Sequence, residues 1–178
     1  MSIFNKIKLV CFDVDGTLTD GIYQISVTQK GESIVSKSFH TRDFSGIEQL
    51  LRHDINVLIM TNSDDDVILK RVHGLLYYSD FWTEEYRYNR LMLLRAVIDK
   101  RSRLTDLLLD KGMGWDNLAY MGDAENDFEC LKLAALSGCP ADAIDEVKNL
   151  AMYPSDFNGG KGAVYDFCKY ILKNKDKQ

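Results

Sequence analysis

Short apolar runs separated by amphipathic stretches set the rhythm of this chain. KLVCFDV (8–14), NVLIM (56–60) and LAYM (118–121) are near-continuous apolar runs of strand length, as expected for strands covered on both faces. Leu136 to Cys139 reads as a further short strand. Between these runs, Phe44 to His53 carries Ile47, Leu50 and Leu51 at helical spacing, and Asp64 to Leu75 sets Val67, Ile68, Arg71 and Val72 on related faces. The spacing predicts one long helix over about 89–110 and shorter ones over 127–135, 144–150 and 162–172. Gly21 to Ser26 and Ser33 to Phe39, parted by TQKGE, read as a β-hairpin with a Gly-containing turn. Strands alternating with helices predict an α/β fold with a doubly wound, mostly parallel sheet. No internal repeat interrupts the pattern, and a polar tail spans 173–178.

Composition narrows the class. At 178 residues, 46% hydrophobic and 28% charged, the chain suits one globular domain over 1–178. A net charge of −5 without a long basic run argues against a nucleic-acid partner. Cys11, Cys130, Cys139 and Cys168 are scattered without CxxC spacing, which predicts free thiols in a reducing compartment. No apolar run is long enough to span a membrane, and Lys6 and Lys8 lead directly into the first strand. A cytoplasmic location is expected. His40, His53 and His73 lie apart, so packing or surface roles are favoured. The aromatic stretch YYSDFWTEEYRY reads as packing or interface.

The chemistry concentrates where strands end. CFDVDGTLTD (11–20) finishes an apolar strand with two aspartates one residue apart. If the strand ran straight through, Asp13 and Asp15 would point the same way, and two such charges repel. Thr61 follows the second strand, and Asp123 and Asp127 follow the third. In open α/β sheets ligands bind beyond the carboxyl ends of the strands. Converging carboxylates there call for a hard divalent cation, and Mg2+ suits a site that also holds water and phosphate.

DVDGT at 13–17, Thr61, Lys100 and GDAEND at 122–127 resemble, in order, the four motifs of the haloacid dehalogenase superfamily. DVDGTLTDG, the hairpin, RDFSGI (42–47) and NGGKGAV (158–164) narrow the resemblance to a capless branch. That branch holds 3-deoxy-octulosonate 8-phosphate phosphatases, nonulosonate 9-phosphate phosphatases and the C-terminal domain of animal CMP-sialic acid synthetases. The resemblance implies Asp13 as nucleophile and Asp15 as general acid and base. It implies Thr61 and Lys100 on the transferring phosphoryl group, and a metal site from Asp13, Asp15 (through its carbonyl), Asp123 and Asp127. Arg42, Asp43, Arg71, Asn62 and Lys161 are the candidate substrate contacts. Plainer readings stand beside these: Thr61 or Asp43 as a helix cap, and Arg71 as a solvated helix residue.

Recognition parts depart from the branch. Its second motif usually reads Thr-Gly-Arg, whereas here Thr61-Asn62-Ser63 lacks the cation. Lys161 and Tyr165 stand where arginines are usual, and the stretch between Arg71 and Lys100 is longer. The implied activity is a Mg2+-dependent phosphatase acting on a phosphorylated 2-keto-3-deoxy sugar acid. A mainly structural, oligomerising domain is the alternative. With only the hairpin to cover the site, the resemblance implies a homotetramer in which hairpins associate.

Overall fold

A computed structural model describes residues 2–175. The elements in chain order are α1 (Ile3–Lys6), β1 (Leu9–Phe12), β2 (Gln24–Val27), β3 (Ser33–Ser36), α2 (Thr41–Arg52), β4 (Asn56–Met60), α3 (Val67–Leu76), α4 (Asp80–Arg87) and β5 (Leu91–Leu94). They continue with α5 (Lys100–Asp110), β6 (Leu118–Met121), α6 (Phe128–Leu133), β7 (Leu136–Cys139), α7 (Asp145–Leu150), β8 (Tyr153–Pro154) and α8 (Ala163–Lys175). Six strands form one parallel sheet in the order β5-β4-β1-β6-β7-β8, and β2 and β3 form a separate antiparallel pair. Leaving the hairpin out of the count, the sheet order is 3-2-1-4-5-6, the doubly wound order that reverses between β1 and β6.

The continuous apolar runs are explained by burial on both faces. Val10, Phe12, Val57, Ile59, Ala119 and Met121 face one core with Ile47 and Leu50 of α2, Ile68 and Val72 of α3, and Phe167 and Ile171 of α8. The alternate residues Leu9, Cys11, Leu58, Met60, Leu118 and Tyr120 face a second core with Leu104 and Leu108 of α5, Leu131 of α6 and Val147 of α7. A period of two along each strand therefore feeds both cores.

Two expected element bounds change, and the aromatic stretch takes a form the spacing had left open. The helical spacing over 89–110 divides: Leu91–Leu94 pairs in parallel with Val57–Met60, and the helix begins only at Lys100. LMLL fits either period, and the open edge of β4 decides in favour of the strand. Asp99 then caps α5, accepting from Ser102 N at 3.0 Å. This division sets Lys100 in the first turn of α5. The aromatic stretch forms a helix of its own, α4, with Trp82 buried and Tyr77, Tyr78 and Tyr88 exposed. The terminal helix α8 runs past the expected end at Leu172 to Lys175, into the polar tail; residues 176–178 lie outside the described residues. Among the described residues the hairpin is the only excursion between β1 and α2, and no cap domain is present.

Candidate active site

Asp13 still belongs to the ladder, since its N–H donates to Met121 O at 3.0 Å. Beyond it the strand turns sharply through Val14–Leu18, with Gly16 at φ 93°. Thr19 secures the turn: its N–H and hydroxyl both donate to Val14 O, at 2.9 and 3.2 Å. The two aspartates consequently diverge instead of sharing one face. A Cβ on Gly16 would stand 2.1 Å from Asp123 Oδ2, so only glycine lets the turn approach that carboxylate.

Asp13, Asp123 and Asp127 each offer an oxygen within 4.8 Å of the others. The Lys100 ammonium donates to Asp13 Oδ1 and, at 2.7 Å, to Asp127 Oδ1. Asp127 also accepts from Tyr120 OH at 2.5 Å and from Asp123 N at 3.0 Å. Thr17 Oγ1 donates to Asp123 at 3.0 Å. Asp13, Asp127 and Lys100 are buried. Burial, then the Asp127 charge, pushes the Asp13 carboxyl well up against the opposing pull of Lys100. The same two causes push Asp123 up to about 6. Lys100 is raised because Asp13 and Asp127 together outweigh its burial. Three carboxylates facing one ammonium leave a surplus of negative charge, all oxygen donors, which fits a hard divalent cation.

Asp15 stands outside that cluster. Its Oδ1 accepts from Lys37 at 2.5 Å and its Oδ2 from Thr61 Oγ1 at 3.3 Å. Lys37 donates equally to Asp65 Oδ2 at 2.5 Å, and Ser63 Oγ donates to the same oxygen. Thr61 Oγ1 accepts from Ser63 N at 3.0 Å, so its proton is free for Asp15. Lys37, Asp65 and Tyr120 were not among the sequence candidates, and Ser63 and Thr17 entered only as parts of motifs. Lys37 lies 22 residues from Asp15 and 28 from Asp65, with no motif to mark it.

The candidate substrate contacts scatter. Asp43 is fully buried and accepts from Tyr165 N at 2.8 Å, joining α2 to α8, while its Oδ2 lacks a partner. Burial pushes it up to about 6. Arg71 stacks over Phe44, 4.1 Å from the ring centroid, and lines a cavity of about 510 Å3 with Phe39, Thr41, Tyr78 and Trp82. None of the catalytic candidates lines that cavity. Lys161 pairs with Asp20 at 3.3 Å, and Arg42 and Asn62 are exposed. Gly159 and Gly160 press on the turn after β1: a Cβ on Gly159 would meet Gly16 O at 1.9 Å, and Gly160 N donates to Thr17 O at 3.0 Å. The glycine pair buttresses the turn after β1.

A family model of haloacid dehalogenase-like hydrolases matches residues 33–167. The chain belongs to that family. A 3-deoxy-D-manno-octulosonate 8-phosphate phosphatase of Haemophilus influenzae is 32% identical over 172 residues, covering 97% of this chain and 86% of that protein. An N-acylneuraminate cytidylyltransferase of Oncorhynchus mykiss is 33% identical, but this chain spans only 36% of its length. A crystal structure of the octulosonate phosphatase of Moraxella catarrhalis, in complex with magnesium, phosphate and KDO, superposes with a TM-score of 0.80 at 26% identity, covering 98% of this chain and 92% of that one. The chain is accordingly an enzyme of the phosphatase type. No helix among the described residues is long and apolar enough to cross a membrane.

Proposed function

We propose that this hydrolase is a Mg2+-dependent phosphomonoesterase acting on a phosphorylated 2-keto-3-deoxy sugar acid, of the octulosonate 8-phosphate or nonulosonate 9-phosphate type. The observation that carries the reading is the division of carboxylates at the switch point between β1 and β6. Asp13, Asp123 and Asp127 cluster, with Lys100 donating to Asp13 and Asp127, while Asp15 stands apart, accepting from Thr61 and Lys37. One group is arranged to hold a metal and attack, the other to handle a proton.

Asp13 and Asp123 would hold the cation, with the Asp15 carbonyl and with Asp127 in support. Bound there, Mg2+ would neutralise the surplus charge and polarise the phosphoryl oxygens. An Asp13 oxygen attacks phosphorus, the P–O bond to the sugar breaks, and Asp15 gives its proton to the departing alkoxide. Asp15 then takes a proton from the water that attacks phosphorus, releasing phosphate and restoring the Asp13 carboxylate. Lys100 and the Thr61 hydroxyl supply positive charge and a hydrogen bond to the equatorial oxygens. Thr61 already serves Asp15, so it can act in both roles.

The relatives' names support the substrate class: one is an octulosonate phosphatase, and another is crystallised with KDO and phosphate. Similarity to part of a sialate-activating enzyme supports a second reading, a structural module. Intact Asp13 and Asp15 favour the enzyme. Exposed Ile22, Tyr23, Ile25, Val27 and Ile34 on the hairpin support a homotetramer, to be checked by light scattering during size exclusion. Buried, unpaired cysteines suit a cytoplasmic setting.

The deciding experiment is phosphate release from octulosonate, nonulosonate, hexose and nucleotide phosphates, with and without Mg2+. The expected result is metal-dependent turnover of a sugar-acid phosphate. Asp13→Asn should abolish it while the circular dichroism spectrum is kept. Turnover of Asp13→Asn within tenfold of the unmodified chain would remove Asp13 from the mechanism.

A further inference from the structure

The hairpin delivers more than exposed apolar surface. At its base Lys37 turns inward, with its side chain only 3% exposed, and donates to Asp15 and Asp65 at 2.5 Å each. A lysine stem seldom gives up water so completely unless its ammonium is fully matched. Here the match outweighs the burial: bonds from Asp15 and Asp65 raise Lys37 although desolvation alone would lower it.

Asp65 is itself held on both oxygens. Its Oδ1 accepts from Val67 N at the start of α3 at 3.0 Å, and its Oδ2 accepts from Ser63 Oγ as well as Lys37. The series closes on the other side, because Ser63 N donates to Thr61 Oγ1 at 3.0 Å and Thr61 donates to Asp15. A cation therefore stands beside the second motif even though that motif carries Ser63 in place of an arginine. It arrives from the hairpin.

We infer that Lys37 is a positioning residue for Asp15, aimed by Asp65 and Ser63, and that it fixes the proton-transferring carboxylate toward the leaving group and away from the Asp13 cluster. The geometry favours positioning over phosphate binding. Lys37 is spent on two carboxylates and has no spare charge for an incoming anion, whereas Asp15 has both oxygens directed by donors from different elements. Without Lys37, the Asp15 side chain keeps only the longer 3.3 Å bond from Thr61. This rests on Asp15 being the proton donor of the proposed reaction.

The test is a series of aryl phosphates whose leaving groups run from acidic p-nitrophenol to weakly acidic p-methoxyphenol, compared by kcat/KM. An acidic leaving group departs without a proton, whereas a basic one needs it. Lys37→Met should lose roughly tenfold more on p-methoxyphenyl phosphate than on p-nitrophenyl phosphate, within the range of a general acid's contribution. Asp15→Asn should steepen the series in the same direction. Lys37→Arg should restore part of the loss, and Asp65→Asn should show the same tilt more weakly. Should Lys37→Met fail to fold, Asp65→Asn carries the comparison. Equal losses on every ester in the available variants would overturn the inference, leaving the phosphatase reading intact. An unmodified chain inert toward every ester would instead overturn the phosphatase reading and this inference together.

Discussion

Two lysines in this molecule each bridge two aspartates, and the surroundings give them different work. Lys100 joins Asp13 and Asp127 where all three side chains are 6% exposed or less. Lys37 joins Asp15 and Asp65 at the rim, where Asp15 is 37% exposed and Asp65 12%. In the interior, a third carboxylate outnumbers the ammonium, and burial with mutual repulsion drives Asp13 and Asp123 upward. At the rim, burial raises Asp65 only in part, and the bonds from Lys37 and Ser63 hold it below the usual range. The buried bridge keeps a surplus of negative charge away from water, which suits a further cation, whereas the rim bridge has solvent to screen its second carboxylate. Identical pairings thus leave a carboxylate cluster with surplus charge in one place and a solvent-screened, fully bonded carboxylate pair in the other, the division on which the proposed roles of Asp13 and Asp15 rest.

The sharpest way to break this comparison is to remove each ammonium. Lys100→Met should cost about 3–5 kcal/mol in urea unfolding without metal, because it leaves carboxylates buried and unpaired. It should also lower kcat by about 10³, as expected for loss of a phosphoryl-stabilising charge. An unfolding midpoint within error of the unmodified chain would contradict the buried-pair account.

A buried carboxylate without any lysine supplies the control. Burial pushes the Asp43 carboxyl up to about 6 from an ordinary 3.8. Between those values the folded state binds more protons than the unfolded state, so stability falls as pH rises. The contribution is present below about pH 4 and lost as the pH rises through about 6. Asp43→Asn should remove that loss, changing the stability difference by about 2–3 kcal/mol between pH 4 and 7. Parallel stability–pH curves for variant and unmodified chain would show that Asp43 is not the titrating group.

Metal titration sharpens the contrast further. Asp123→Ala should raise the Mg2+ concentration for half-maximal rate at least about tenfold, whereas Asp65→Ala should leave it unchanged. A shifted Mg2+ requirement in Asp65→Ala would merge the two regions into one site. The smallest effect is expected for Lys37→Met on stability, within about 1 kcal/mol, because one partner is solvent-screened. A loss as large as that of Lys100→Met would show that exposure does not separate the two bridges.

Much of this was legible from the order of residues. Apolar runs bounded by polar strand ends predicted a doubly wound parallel sheet, and the order 3-2-1-4-5-6 follows that plan. Asp13, Asp15, Thr61, Lys100, Asp123 and Asp127 were picked out by resemblance to ordered family motifs, and the fold brings Asp13, Lys100, Asp123 and Asp127 together. Leu91–Leu94 was misplaced in a helix because four apolar residues satisfy both periods, and only the free edge of β4 distinguishes them.

The sequence by itself determined which carboxylates gather at the ends of β1 and β6, since strand length and the glycine turn at Gly16 are written into contiguous residues. Tertiary structure alone decided how their charges are shared. Lys37 meets Asp15 only because the hairpin folds back on the turn, and Asp43 loses water only because α8 closes over α2. Charge pairing and burial depend on distances between segments far apart in the chain, and no local pattern of residues encodes those distances.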